Sequence, residues 1–137
     1  MTNFAKTVAL LAALLTGSAA ECLAAESSAT YVEIENPLAS RHPLQGYLRR
    51  TKAAGPSPAV VLLHSCHGNW KRIDERWGKR IASWGYVVLT VDSLGPRGLE
   101  ICDDRARIDS AGDAYRALNF LVRDPFVDPG KTIRDGC

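Results

Sequence analysis

The sequence lacks a long apolar run, an excess of charge of one sign, and any internal repeat or low-complexity stretch. A helix needs about 20 apolar residues to cross a bilayer, and the longest apolar run covers only residues 8–15. Lys and Arg number 17 against 15 Asp and Glu, so the net charge is +2, and no basic stripe stands out along the sequence. These absences exclude a polytopic membrane protein and the charge pattern of a nucleic-acid-binding protein. The 137 residues, 46% of them hydrophobic, suit one globular domain.

The N-terminus has the pattern of a secretory signal peptide. Lys6 precedes the apolar run 8–15, and small residues occupy 16–20. Residues 18–25 offer two cleavage sites, after Ala20 or after Ala25, and we favour the second. Residues 1–25 are therefore predicted to be the signal peptide, and the mature protein is expected to be secreted or periplasmic.

The four cysteines are consistent with export. Glu21 precedes Cys22, where a lipid-modified cysteine would require a small residue, so lipidation is disfavoured. Cleavage removes Cys22 and leaves residues 26–137 as the domain. An oxidising compartment then allows one disulfide and one leftover thiol among three cysteines, which are Cys66, Cys102 and Cys137.

Four segments have strand patterns. Residues 31–35 and 46–51 alternate polar with apolar side chains, which predicts an antiparallel pair. Residues 59–63 and 86–91 are continuous aliphatic runs, typical of parallel strands covered on both faces.

Two amphipathic helices are predicted. The first lies between the aliphatic strands, ends at Gly85, and has an apolar stripe that includes all three tryptophans of the chain: Trp70, Ile73, Trp77, Ile81 and Trp84. We interpret this stripe as core, and a stacking platform for a nucleic acid or cofactor is the less favoured alternative. The second helix has Asp103 or Asp104 as N-cap, ends at 124–125, and carries the stripe Ile108, Ala111, Tyr115, Leu118 and Val122.

The order of elements predicts an α/β fold with a mostly parallel sheet and an antiparallel N-terminal pair. Ligands of such folds bind beyond the carboxyl ends of the strands, here the loops 64–69 and 92–98. Over residues 30–131 the chain resembles the N-terminal half of an α/β-hydrolase of the dienelactone hydrolase family. The resemblance rests on the order of the segments 58–68, 70–84, 85–88, 92–98 and 113–118.

The resemblance implies the chemistry of carboxylic-ester hydrolysis, with an ester or lactone substrate, an acyl-enzyme and no cofactor. The loop Ser65, Cys66 and His67 would contribute an oxyanion-hole donor, the backbone N–H of Cys66. In that family the nucleophile stands in a G-x-[SC]-x-G motif, which this sequence does not contain. No residue is therefore assigned as nucleophile, acid or base.

Several polar residues of the two loops have competing interpretations. Asp92, Ser93 and Arg97 form the substrate-side loop, yet Asp92 suits a turn better than a triad acid, and a loop salt bridge suits Arg97 better than a substrate carboxylate. His64 is interpreted as a hydrogen-bonded strand-end residue. A metal site from His64, Cys66 and His67 is disfavoured because no second ligand cluster accompanies them.

Cys66 and Cys102 are hypothesised to form a disulfide. Each lies in a loop at the carboxyl end of a neighbouring buried strand, where a Cα separation of about 4.4 to 6.8 Å is plausible.

Together these observations predict an exported chain, equivalent to the N-terminal half of an ester hydrolase domain and inactive alone, as though the gene were truncated or split. The turn 127–131 should lead into a third buried strand beside 59–63, yet residues 132–137 are largely polar. The strand 59–63 would then be an exposed sheet edge that favours self-association. No nucleic-acid partner is expected, nor a membrane after signal cleavage. The alternative is a secreted, non-catalytic binding domain derived from the same fold.

Overall fold

A computed structural model describes residues 28–35, 43–103 and 108–131. The predicted signal peptide, Cys22, Asp104 and Cys137 lie outside these described residues. Within them, no helix is long and apolar enough to cross a membrane.

Four strands form one mixed sheet in the order β1-β2-β4-β3. The strands are β1 (Ala29–Ile34), β2 (Leu44–Arg49), β3 (Ala59–Leu62) and β4 (Val87–Asp92). The antiparallel N-terminal pair is confirmed, with Tyr31 opposite Tyr47, and β3 runs parallel to β4 as predicted. However, β2 also pairs with β4 antiparallel. In the described residues the sheet is therefore more antiparallel than expected.

The strand β4 is the centre of the core, and all six of its residues are buried. It packs against apolar residues of β1, β2 and the helix Ser110–Leu121, including Ile34, Leu48 and Leu121. The prediction of burial on both faces fails for β3, where Val60, Val61 and Leu62 are only half-buried. In the described residues β3 itself pairs with β4, and Ser57, two residues before β3, forms an isolated parallel bridge with Val127.

The helical segment 70–83 does not bury the predicted tryptophan stripe. It consists of α1 (Trp70–Ile73), a π turn (Asp74–Gly78) and α2 (Lys79–Ser83), followed by Gly85 at φ +94° as the expected C-terminal glycine. Its buried residues are Asp74, Gly78 and Ala82, whereas Trp77 and Trp84 are 41% and 63% exposed. The buried guanidinium of Arg49 and the hydroxyl of Thr90 bind the Asp74 carboxylate. This polar contact turns the aspartate toward the sheet and Trp77 and Trp84 away from it. Trp70, in contrast, is half-buried, and its ring centroid lies 4.6 Å from that of Tyr47 in β2.

The helix α3 (Ser110–Leu121) is rotated from its predicted orientation in the same way. Its buried residues are Asp113, Ala117 and Leu121, while Tyr115 is 67% exposed. Its N-cap is Asp109, whose carboxylate accepts from the N–H of Gly112 at 2.8 Å. The predicted cap Asp103 lies outside the helix.

Candidate functional site

The loops that follow β3 and β4 meet at the carboxyl ends of the two parallel strands. A ligand of an open α/β sheet binds at this position. Both loops are positioned by contacts between them, which involve His64, Cys66 and Gly68.

His64 links the two loops through its imidazole. Its Nε2 accepts a hydrogen bond from the backbone N–H of Ser93 at 3.0 Å, and its Nδ1 lies 2.8 Å from the carbonyl oxygen of Ser65. The acceptor role of Nε2 places the proton on Nδ1, which donates to that carbonyl. With both ring nitrogens occupied and a side chain 4% exposed, His64 is the hydrogen-bonded strand-end residue that was predicted.

Asp92 shapes the turn after β4. Its Oδ1 accepts from the backbone N–H groups of Leu94 and Gly95 at 3.0 and 2.8 Å. The same oxygen lies 3.8 Å from Nε2 of His64, beyond hydrogen-bond length. The geometry therefore supports the interpretation of Asp92 as a turn former.

Arg97 is occupied by a structural ion pair. Its guanidinium binds both carboxylate oxygens of Asp113 at 2.8 and 2.9 Å and also donates to the carbonyl of Ser93. Arg116 adds a third contact to Asp113 at 2.9 Å. The loop salt bridge that the sequence analysis favoured for Arg97 is present, and it ties the substrate-side loop to α3.

A disulfide and a backbone hydrogen bond hold the loop after β3. Cys66 and Cys102 are bonded with a Cα separation of 4.8 Å, which is the pairing hypothesised from the sequence. The N–H of Cys102 also donates to the carbonyl of Cys66 at 2.8 Å. The disulfide removes the thiolate that a metal or a nucleophilic role for Cys66 would need.

Gly68 lets the two loops approach closely. It adopts φ +65°, and a Cβ at this position would lie 2.7 Å from the carbonyl oxygen of Glu100. Its N–H donates to the carbonyl of Ser65 at 3.0 Å, which closes a turn over Cys66 and His67.

The turn presents Ser65, Cys66 and His67 to solvent. In the described part of the chain, no acceptor takes the backbone N–H of Cys66. This N–H is available to an external oxygen, which is the property of an oxyanion-hole donor.

A cavity of about 280 Å³ opens between the two loops. Gly68 of the loop after β3 and Asp92 of the loop after β4 both line this cavity. The charged residues Lys71 and Glu100 also line it. A larger cavity of about 540 Å³ lies elsewhere, between the end of β1 and α3, and includes Glu33 and Arg123.

The described residues hold no complete catalytic or metal-binding set. No three His, Cys, Asp or Glu side chains in these ranges are grouped as metal ligands. Among the described residues, neither the exposed Ser65 nor the buried Ser93 has a side-chain hydrogen bond to an imidazole, and backbone groups occupy both ring nitrogens of His64.

Two buried aspartates that position the loops and helices were not predicted from the sequence. Asp74 and Asp113 are 1% and 0% exposed. A recognisable signal was present, since each begins a four-residue repeat with small or apolar residues, Asp74-Gly78-Ala82 and Asp113-Ala117-Leu121.

Comparison with known proteins identifies solved structures of similar fold. No protein-family model and no curated protein sequence matches the chain. The chain is similar to the crystal structure of a dienelactone hydrolase-like promiscuous phosphotriesterase from metagenomic libraries, with 24% identity and a TM-score of 0.56 over 78% of this chain and 47% of that one. A protein of Klebsiella pneumoniae subsp. pneumoniae described as a candidate dienelactone hydrolase gives 19% identity and a TM-score of 0.57 over 77% and 48% of the chains.

The chain thus spans about half the length of these structures. The described residues have the fold of a partial dienelactone hydrolase domain.

Proposed function

We propose that this chain is the oxyanion-loop part of a carboxylic-ester hydrolase domain and that it has no catalytic activity alone. The observation that carries the proposal is the unoccupied backbone N–H of Cys66 on a disulfide-held turn at the carboxyl ends of β3 and β4. In a complete domain this donor would stabilise the negative oxygen that forms when a nucleophile attacks an ester carbonyl.

The complete reaction is acyl transfer to water. A Ser or Cys nucleophile attacks the carbonyl carbon, the alcohol leaves with a proton, and water then hydrolyses the acyl-enzyme. Small esters or lactones are the proposed substrates. Because one structural neighbour is described as a promiscuous phosphotriesterase, a phosphotriester is a second probe.

The way in which the polar groups of the described loops are used supports the proposed inactivity of the chain alone. His64 is held by Ser65 and Ser93, Asp92 closes a turn, and Cys66 is oxidised. A nucleophile, a base and an orienting acid act as a unit in this chemistry, so an oxyanion donor alone gives no turnover.

The DNA downstream of codon 137 tests the hydrolase proposal. A G-x-[SC]-x-G motif in any frame, followed by codons for Asp and His, is the expected result. The absence of such a motif in every frame would contradict the proposal and favour a non-catalytic binding domain, for which the occupied His64, Asp92 and Arg97 are the supporting observations.

If the motif is found, the downstream sequence is joined to this chain to give a complete domain. Two variants of that domain test whether the backbone N–H of Cys66 is the oxyanion-hole donor. Cys66→Pro with Cys102→Ala removes the N–H, while Cys66→Ala with Cys102→Ala keeps it, and both lack the disulfide. Loss of an oxyanion donor lowers kcat by roughly 10²- to 10³-fold. Equal kcat values in the two variants would show that Cys66 does not supply the donor.

We also propose that the chain is exported and that residues 1–25 are removed. The charge and apolar pattern of this segment supports export, as does the disulfide between Cys66 and Cys102, since such bonds persist in oxidising compartments. Intact mass of the exported protein should correspond to a start at Glu26. Retention of the first 25 residues would contradict this proposal.

A further inference from the structure

The exposed side of the helical segment 70–83 concentrates positive charge. Glu75 is its one exposed acidic residue. Outside this segment acidic residues outnumber basic ones by 13 to 12, so the positive excess of the chain resides here. The exposed basic residues are Lys71, Arg72, Arg76, Lys79 and Arg80.

Helical geometry explains why no basic stripe was evident in the sequence. Arg72, Arg76 and Arg80 are separated by other residue types along the chain, but four-residue spacing brings them to one side of a helix. The cluster therefore forms only on folding.

Two tryptophans border these arginines. Trp77 and Trp84 are 41% and 63% exposed. Trp77 lies in the π turn, and Trp84 is the residue directly after α2, four residues after Arg80. The guanidinium groups of Arg76 and Arg80 lie 5.6 and 5.8 Å from the ring centroid of Trp77. Large exposed aromatic rings within a charged surface mark an interaction site.

We propose that the basic-tryptophan face, formed by Arg72, Arg76, Trp77, Arg80 and Trp84, binds the surface of an anionic lipid membrane. Tryptophan rings partition to the lipid headgroup region. Arginine stems cover apolar surface while their guanidinium groups remain at the polar boundary, where lipid phosphates attract them. The face is the outer side of a helix, which can lie along a membrane plane.

The contacts of Trp77 favour a lipid surface over a nucleic acid. A base-stacking platform needs an uncovered ring face, whereas two guanidinium groups already lie over this ring. Each guanidinium has five N–H donors, so donors remain for phosphate oxygens. This proposal replaces the expectation that the chain makes no membrane contact after signal cleavage.

Vesicle co-sedimentation of the full chain tests the proposal. We expect binding to mixed phosphatidylcholine and phosphatidylglycerol vesicles, weak binding to phosphatidylcholine alone, and weakening by added salt. The double variant Arg76→Gln, Arg80→Gln should bind about tenfold less tightly or worse. A second double variant, Trp77→Ala, Trp84→Ala, should lose the blue shift of tryptophan fluorescence on anionic vesicles.

A matched control variant separates binding by the basic-tryptophan face from any binding by the predicted signal segment. All variants retain residues 1–25, and the control Tyr115→Ala, Arg123→Gln removes an exposed aromatic and an exposed basic residue from another part of the fold. The control should bind like the unchanged chain.

Equal binding of all variants, or equal binding to neutral vesicles, would overturn the proposal. Binding of duplex DNA as tight as that of anionic vesicles, lost in the same two variants, would also overturn it. Far-UV circular dichroism verifies that each variant is folded.

Discussion

Asp74 and Asp113 lie on the buried sides of two helical segments. Each binds an arginine from another element. Arg49 of β2 donates from Nε to Asp74 at 2.9 Å, and Arg97 binds both oxygens of Asp113. A buried ion pair gains little over an apolar pair, but removal of one partner leaves an uncompensated charge. These aspartates therefore determine which face of each helix meets the sheet.

Asp74→Asn should destabilise the fold strongly. The substitution keeps the size of the side chain but removes the negative charge that binds the buried Arg49 guanidinium, and breaking a buried ion pair costs about 3 to 5 kcal/mol. The control Glu75→Gln, on the exposed side of the same turn, should change the free energy of unfolding by less than about 0.5 kcal/mol. Urea unfolding measures both, and similar values for the two variants would contradict this role of Asp74.

Gly68→Ala should destabilise the fold more than Gly98→Ala. Both glycines have positive φ, +65° and +70°, so both alanine variants carry a backbone cost of about 1 to 2 kcal/mol. Only at Gly68 would the new Cβ meet a backbone oxygen, that of Glu100 at 2.7 Å, while Gly98 faces open space. Urea unfolding midpoints give the difference, and a Gly98 variant as unstable as the Gly68 variant would contradict the close approach of the loops.

At the scale of elements, periodicity predicted which segments form strands and helices but not how the helices face the sheet. Alternation identified β1 and β2, and aliphatic runs identified β3 and β4. The predicted helix stripes were wrong because they were built from apolar residues alone and left out the buried Asp74 and Asp113. The ion pairs of Asp74 with Arg49 and of Asp113 with Arg97 set which face of each helix meets the sheet. The four-residue repeats mark the buried positions, but they do not reveal arginine partners in other elements.

The disulfide between the two loops should contribute substantially to stability. Cys66 and Cys102 are 36 residues apart, and closing a loop of that size restricts the unfolded chain by about 3 to 4 kcal/mol. The double variant Cys66→Ala, Cys102→Ala should lower the free energy of unfolding by that amount, with Ser65→Ala, an exposed residue of the same turn, as a control that changes little. Alkylation of Cys66 in the oxidised, folded chain would refute the bond.

The outer edge of β3 should mediate self-association. Pro58 accepts from Val87 of β4 at 2.9 Å, so by alternation the N–H of Val60 faces β4 and that of Val61 faces away. Val61→Pro should therefore raise the monomer fraction without breaking the β3–β4 pairing, while Val60→Pro should unfold the chain. Size-exclusion chromatography measures the monomer fraction, and a monomeric unchanged chain would contradict the prediction.

For the whole molecule, the sequence predicted the fold better than it predicted the chemistry. The order of elements identified the hydrolase-like fold, and loop positions brought Cys66 near Cys102. The sequence predicted a hydrogen-bonded His64 and a loop salt bridge for Arg97, but not their partners Ser93 and Asp113. Those partners depend on how two loops and a helix pack. In the described residues, the loop that we propose as an oxyanion-hole donor is accompanied by no nucleophile hydrogen-bonded to an imidazole.

Hydrolysis of p-nitrophenyl acetate by the 137-residue chain tests this account most directly. Ser65→Ala and the double variant Cys66→Ala, Cys102→Ala serve as matched variants. We expect the ester to be hydrolysed no faster with any of the three proteins than in buffer alone. Turnover above that rate in the unchanged chain, abolished by Ser65→Ala, would show that the loop itself supplies a nucleophile and would contradict the account.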